Sequence, residues 1–217
     1  ARYHGENCTQ MLVHECDAAA GLAAELERLR KTDPLTQLDN KRAFADRLDD
    51  ELAKPRTVDS VAAVLYIEPD GMTELQEELD VSAMDSLIID LAQVMKSCLG
   101  PQDVAARIAD LGFAVLTTQS NMENVEKLAG QILESYGSHL VDLEDRSFSV
   151  SCSIGIATLG RLASNSTQLI TGARKAEAEA SATGNRAVTF RPQLIAVSSF
   201  EDDRPWIDRI KLALKHQ

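Results

Sequence analysis

Arg107-Ile108-Ala109-Asp110-Leu111-Gly112-Phe113-Ala114-Val115-Leu116 is the stretch on which the reading of this chain turns. With Val104 to Ala106 before it, it reads as a hairpin whose tight turn spans Ala109 to Gly112. Outward from it lie segments of both periods. Val61 to Ile67 is a mostly apolar run fit for a buried strand. Phe148 to Ala157 alternates as a strand, and Ala187 to Phe190 is a last short one. Helical spacing runs through Val81 to Leu99, Asn124 to Tyr136 and Thr167 to Ala182. Strands alternating with helices predict a sheet covered by helices.

The chain has 217 residues, 44% hydrophobic and 26% charged, as ordinary globular proteins are. That length suffices for one well-buried domain with appendages. No apolar run approaches the ~20 residues that span a bilayer, and no basic-then-apolar signal segment opens the chain. A cytoplasmic location without membrane insertion is expected. Ala1 is not an initiator residue, so part of a longer protein is expected. The net charge of −12 repels phosphate backbones and anionic lipids, which argues against nucleic acid as a partner. Cys8, Cys16, Cys98 and Cys152 are scattered and read as reduced thiols. His14 and His139 read as surface residues, and Asp142-Leu143-Glu144-Asp145 as a solvated turn, since it lacks the spaced ligands of a calcium loop.

Residues Asp17 to Lys31 predict a helix with Leu22, Leu26 and Leu29 at i, i+4 and i+7. So narrow a stripe suits either a coiled-coil seam with a second copy or packing on the chain's own domain. Pro34 ends this helix by forcing Asp33 out of helical geometry. Asn40 is placed to cap the next. The intervening Asp33-Pro34-Leu35-Thr36-Gln37-Leu38-Asp39-Asn40-Lys41-Arg42 resembles the opening of GGDEF domains, Asp-Pro-Leu-Thr-Gly-Leu-x-Asn-Arg-Arg. Phe148 to Ala157 resembles the family's Val-Thr-x-Ser-Ile-Gly-Ile-Ala strand. The opening hairpin then resembles the Gly-Gly-Asp/Glu-Glu-Phe signature, with Ala109-Asp110-Leu111-Gly112-Phe113 in its place. The resemblance covers about residues 32 to 192. It implies an α+β fold, a nucleotide-cyclase-like palm with a central, mostly antiparallel sheet covered by helices and an N-terminal linker helix.

Members of that family that act as diguanylate cyclases condense two GTP molecules using divalent metal held by carboxylates. The resemblance implies vestigial positions here. Glu68 stands for the metal aspartate, one methylene longer, and Pro69 for a residue whose carbonyl binds metal. Thr73 replaces a phosphate lysine. Gln76 replaces the guanine-binding asparagine, while Asp85, the other guanine contact, is kept. Leu111 replaces the second metal acid and offers no ligand. Ala109 and Asp110 replace glycines beside the phosphates, and Asp110 adds an anion there. Ser181 and Asn185 replace a phosphate-binding lysine and arginine, with Arg186 one place late. Charge-assisted contacts of this kind contribute about 1.5–3 kcal/mol each. Upstream, Gly100-Pro101-Gln102-Asp103 keeps only Asp103 of the Arg-x-x-Asp inhibitory site. No catalytic residue, metal ligand or cofactor is expected, and Glu68, Asp70 and Asp85 read mostly as solvated acids.

The flanks extend the resemblance. Residues 1–15 resemble the end of a PAS-type sensor, 16–32 a signalling linker helix, and 33–192 the degenerate GGDEF domain. Residues 193–217, with Trp206, Ile207, Ile210, Leu212 and Leu214, resemble the lead-in to an EAL domain. That order is similar to FimX-like receptors linked to type IV pili and twitching motility. The implied function is a catalytically inactive module for dimerisation, relay or docking in cyclic-di-GMP signalling. Its partners are a second copy through the linker helix and the adjacent PAS and EAL domains. Two other readings stand beside it: a GTP-binding allosteric domain that regulates an EAL phosphodiesterase, and a residual diguanylate cyclase.

Overall fold

A computed structural model describes residues 21–22, 25–55, 60–143, 146–159 and 165–191. The sensor-like hairpin at 1–15, His14, the thiols Cys8 and Cys16 and the segment 193–217 lie outside the described residues. Six strands form the main sheet: β1 (Asp39–Asn40), β2 (Val61–Pro69), β3 (Val104–Arg107), β4 (Phe113–Gln119), β7 (Cys152–Thr158) and β8 (Ala187–Thr189). Their order is β1-β3-β4-β2-β7-β8. The inner pairings β3–β4, β4–β2 and β2–β7 are antiparallel, and the edges β1–β3 and β7–β8 are parallel. The fold is the expected α+β sheet with an antiparallel centre.

Five helices cover it: α1 (Lys41–Ala53), α2 (Met72–Glu78), α3 (Val81–Ser97), α4 (Met122–Ser138) and α5 (Ser166–Ser181). Four begin by the same chemistry. Asn40, Asp80, Asn121 and Asn165 each accept a bond from the backbone N–H three residues on, satisfying a donor the helix leaves unpaired.

Strand β2 is mostly apolar from Val61 to Ile67 because it is buried on both faces. Ala63, Leu65 and Ile67 join the core beneath α3 and α4. Val64 and Tyr66 join a second core beneath α1 and α5, with Phe44, Leu48, Leu169 and Ala173. Gly155 on β7 lets α5 lie close, since a Cβ there would sit 1.9 Å from the Ala173 carbonyl.

Four local readings need correction. Phe148 to Ala157 is two strands, β6 (Arg146–Phe148) and β7, because β6 pairs with β5 in a separate two-stranded sheet while β7 pairs with β2 in the main one. Asp142 and Leu143 are not part of a free turn. They belong to β5 (Val141–Leu143), which pairs with β6, and Asp142 accepts a bond from the Ser147 hydroxyl. His139 is half-exposed but paired, its Nε2 lying 2.6 Å from Asp90 Oδ2 on α3. Finally, α2 forms where the sequence predicts no element. It enters through Gly71 at φ +71° and buries Met72.

Candidate functional site

The signature turn closes on its own backbone. Gly112 N–H donates to the Ala109 carbonyl at 3.3 Å, and Ala109 and Ile108 N–H donate back to the Gly112 carbonyl at 3.1 and 3.0 Å. The described non-glycine residues with positive φ are Gln37 and Asn185. Ala109 and Asp110 therefore make this turn without the left-handed backbone that glycine would supply. Leu111 is partly buried and packs against the core beneath α3 and α4. Arg107 holds the turn from outside, its guanidinium donating to the Asp110 carbonyl at 2.7 Å and lying 3.5 Å from Asp33. Asp33 in turn accepts from the Thr36 N–H and hydroxyl, both at 2.8 Å. The signature turn and the Asp33-Pro34-Leu35-Thr36 loop are thus one assembly.

Glycine is needed at a different position. A Cβ on Gly112 would lie 2.3 Å from the Tyr66 hydroxyl. Tyr66 fills the space below the turn and donates to Glu68 Oε2 at 3.1 Å. Burial and the neighbouring Glu68 charge push its phenol far above the ordinary tyrosine range. The Arg174 guanidinium sits 5.6 Å from the ring centre, within cation–π range. One turn further along α5, Glu177 is only 7% exposed. Its carboxyl is pushed up to about 7, first by burial and then by Glu68 and Asp70, with Arg174 opposing. Tyr66, Gly112, Arg174 and Glu177 form this cluster; Gly112 belongs to the signature stretch, and the sequence reading singled out none of the other three. The findable signal was Glu177, an ionisable residue on the apolar stripe of Leu169, Ala173, Ala176 and Ala180.

Asp70 is not a solvated acid. It accepts from the Ser151 and Ser153 hydroxyls at 2.7 Å each and from the Asn185 N–H at 2.9 Å. It pins the end of β2 to β7, at Ser153 and at Ser151 just before it, and to the turn after α5. Asn185 stands there at φ +49°, a conformation asparagine tolerates better than most residues. The Ser181 hydroxyl donates to its own helix at the Ala178 carbonyl, 3.2 Å away. Arg186 reaches Thr183 at 3.3 Å and Glu179 at 4.0 Å.

Gln76 and Asp85 do come together. They border a cleft of about 310 Å³ with Leu79, Asp80, Val81 and Met84. Asp103 is turned inward on its loop, accepting the Gly100 N–H at 2.8 Å. It lines a separate broad groove with Arg47 and Lys96, and Arg47 is already paired with Asp39. Among the described residues, no group of three His, Cys, Asp or Glu side chains is placed to hold a metal ion. Of the residues standing where the resemblance puts the two metal acids, Glu68 accepts a bond from Tyr66, and Leu111 is apolar and offers no ligand. Leu22, Leu26 and Leu29 are 64%, 53% and 56% exposed on the linker helix.

Comparison with known proteins places this geometry. The GGDEF domain of FimX from Pseudomonas aeruginosa superposes with a TM-score of 0.67 at 26% identity, covering 73% of this chain and 98% of that one. The coiled coil and GGDEF domain of DgcB from Caulobacter crescentus has a TM-score of 0.77 over 86% of this chain and all of that one, at 19% identity, a likeness of fold alone. The cyclic di-GMP phosphodiesterase PdeB of Shewanella oneidensis is 24% identical over 89% of this chain, which spans 22% of that protein's length. Diguanylate cyclase TpbB of P. aeruginosa is 28% identical over 62% of this chain and 31% of its own length. The profile of the family described as diguanylate cyclase, GGDEF domain, matches residues 30–187, and the chain belongs to that family.

Proposed function

We propose that this GGDEF domain is catalytically silent and serves cyclic-di-GMP signalling as a regulatory, dimerisation or docking module. Leu111 carries the reading. At the position where a cyclase presents a metal-binding acid, this chain places an apolar side chain packed on the core. The surroundings agree with it. Asp70 is spent on Ser151, Ser153 and Asn185, Ser181 bonds to its own helix, and Tyr66 occupies the floor beneath the turn. Incubation with GTP and Mg²⁺ or Mn²⁺, followed by chromatography, tests the proposal. Recovery of GTP with no cyclic dinucleotide is expected, and steady product formation contradicts it.

The domain acts, on this reading, between its neighbours, a PAS-like sensor at 1–15 and an EAL domain after 193–217, in a FimX-like arrangement. FimX is among the proteins whose GGDEF domain it resembles. Self-association runs through the linker helix. Leu22, Leu26 and Leu29 fall at heptad positions d, a and d and are exposed. Glu25 and Arg30 then fall at g and the following e, where a parallel partner helix brings opposite charges together. The surviving cleft at Gln76 and Asp85 supports a second reading, a GTP-binding allosteric domain.

A further inference from the structure

The cleft between α2 and α3 offers an unusual combination of surfaces. Leu79 and Met84 wall it from the core side, and Val81 stands at its mouth 81% exposed, the most exposed large apolar residue described. The rim is anionic, with Asp80 and Asp85 at the cleft and Glu74 and Glu77 on the helix leading into it. The cleft is thus an apolar floor inside an acidic rim. It suits a segment whose apolar side chains are flanked by lysine and arginine.

This chain carries such a segment. Residues 204–217 lie outside the described residues. They hold Arg204, Arg209, Lys211 and Lys215 against the single acid Asp208, interleaved with Trp206, Ile207, Ile210 and Leu214. The protein as a whole has a net charge of −12, so this segment is a basic island. We propose that the α2–α3 cleft seats residues 204–217 of the same chain. Chain length allows it. Thr189 is level with Leu65, since both pair with Ile156, and β2 runs four residues further to Pro69. The start of α2 therefore lies about 15 Å along the strands and about 10 Å across them, and the length of α2 adds about 10 Å to reach the cleft. Residues 192–203 extended reach about 40 Å. The proposal goes beyond the function given above and does not depend on it.

Trp206 is the only tryptophan, so it reports its own surroundings in the full chain. Acrylamide quenching of Trp206 should be about threefold weaker in the intact protein than in a synthetic 204–217 peptide. Val81→Lys with Asp85→Lys, at the cleft's mouth and rim, should restore peptide-like quenching. Lys211→Glu with Lys215→Glu should do the same without touching the folded domain, and the four changes together should recover the protection. Equal quenching in intact chain and peptide overturns the proposal. So does protection that survives both pairs of substitutions, which places the tryptophan elsewhere, or protection lost on dilution, which places it on another molecule. The readout is a tryptophan and not a nucleotide, so this inference and the silence of the site fail separately.

Discussion

Glu177 and Gly112 show how single residues shape the packing around Tyr66. The Glu177 carboxyl has a folded-state value of about 7 against an ordinary 4.5, chiefly because it is buried. A raised acid favours the protonated form in the folded state. Its stability contribution is therefore whole below about pH 4.5 and is lost as pH rises towards 7. Glu177→Gln keeps the shape and removes the charge. It should match the parent in urea unfolding at pH 4 and exceed it by about 2 kcal/mol at pH 8. Gly112→Ala should cost about 1–3 kcal/mol, because its methyl meets the Tyr66 hydroxyl. Tyr66→Phe should recover part of that loss but not all, since the ring carbon beneath the hydroxyl also lies within 2.9 Å. Additive losses in the double-mutant cycle would mean that the two residues do not share this space.

Asp70 and the linker helix set how elements are held together. Asp70→Ala removes three accepted hydrogen bonds joining β2, β7 with Ser151 just before it, and the turn after α5. A loss of about 2–3 kcal/mol in denaturant unfolding is expected; a loss under half a kcal/mol would reduce Asp70 to the solvated acid its sequence suggests. Leu26→Lys in the linker helix should halve the mass seen by light scattering, since a charge at a seam position cannot be buried in a partner. An unchanged mass would assign the exposed leucines to something other than a second copy. Much at this level was legible beforehand. Period-3.6 spacing located α3, α4 and α5, the apolar run at Val61 located β2, and Asn40 announced α1. The misses have two causes. The break before β7 and the burial of Glu177 come from contacts between residues far apart in sequence, which local patterns do not encode, whereas β5 and β6 pair locally but are only three residues each, too short to leave an alternating pattern. Helix α2 is short and polar, with Met72 its one buried residue, so it left little periodicity to read.

The whole molecule keeps the α+β scaffold of the GGDEF family, and several positions where the resemblance puts nucleotide contacts are engaged within the chain. Leu111 packs against the core, Asp70 accepts from serines and Ser181 bonds its helix, while Gln76 and Asp85 border a cleft. The substitutions in the signature were visible in the sequence. That Tyr66 bonds Glu68 and lies under the Arg174 guanidinium was not, because neither Tyr66 nor Arg174 lies in the signature. Titration calorimetry of the intact chain with GTP and Mg²⁺ tests this reading of the scaffold. No heat up to millimolar GTP is the expected result, whereas micromolar binding would show a working nucleotide pocket and contradict the roles given to Leu111, Ser181 and Asn185.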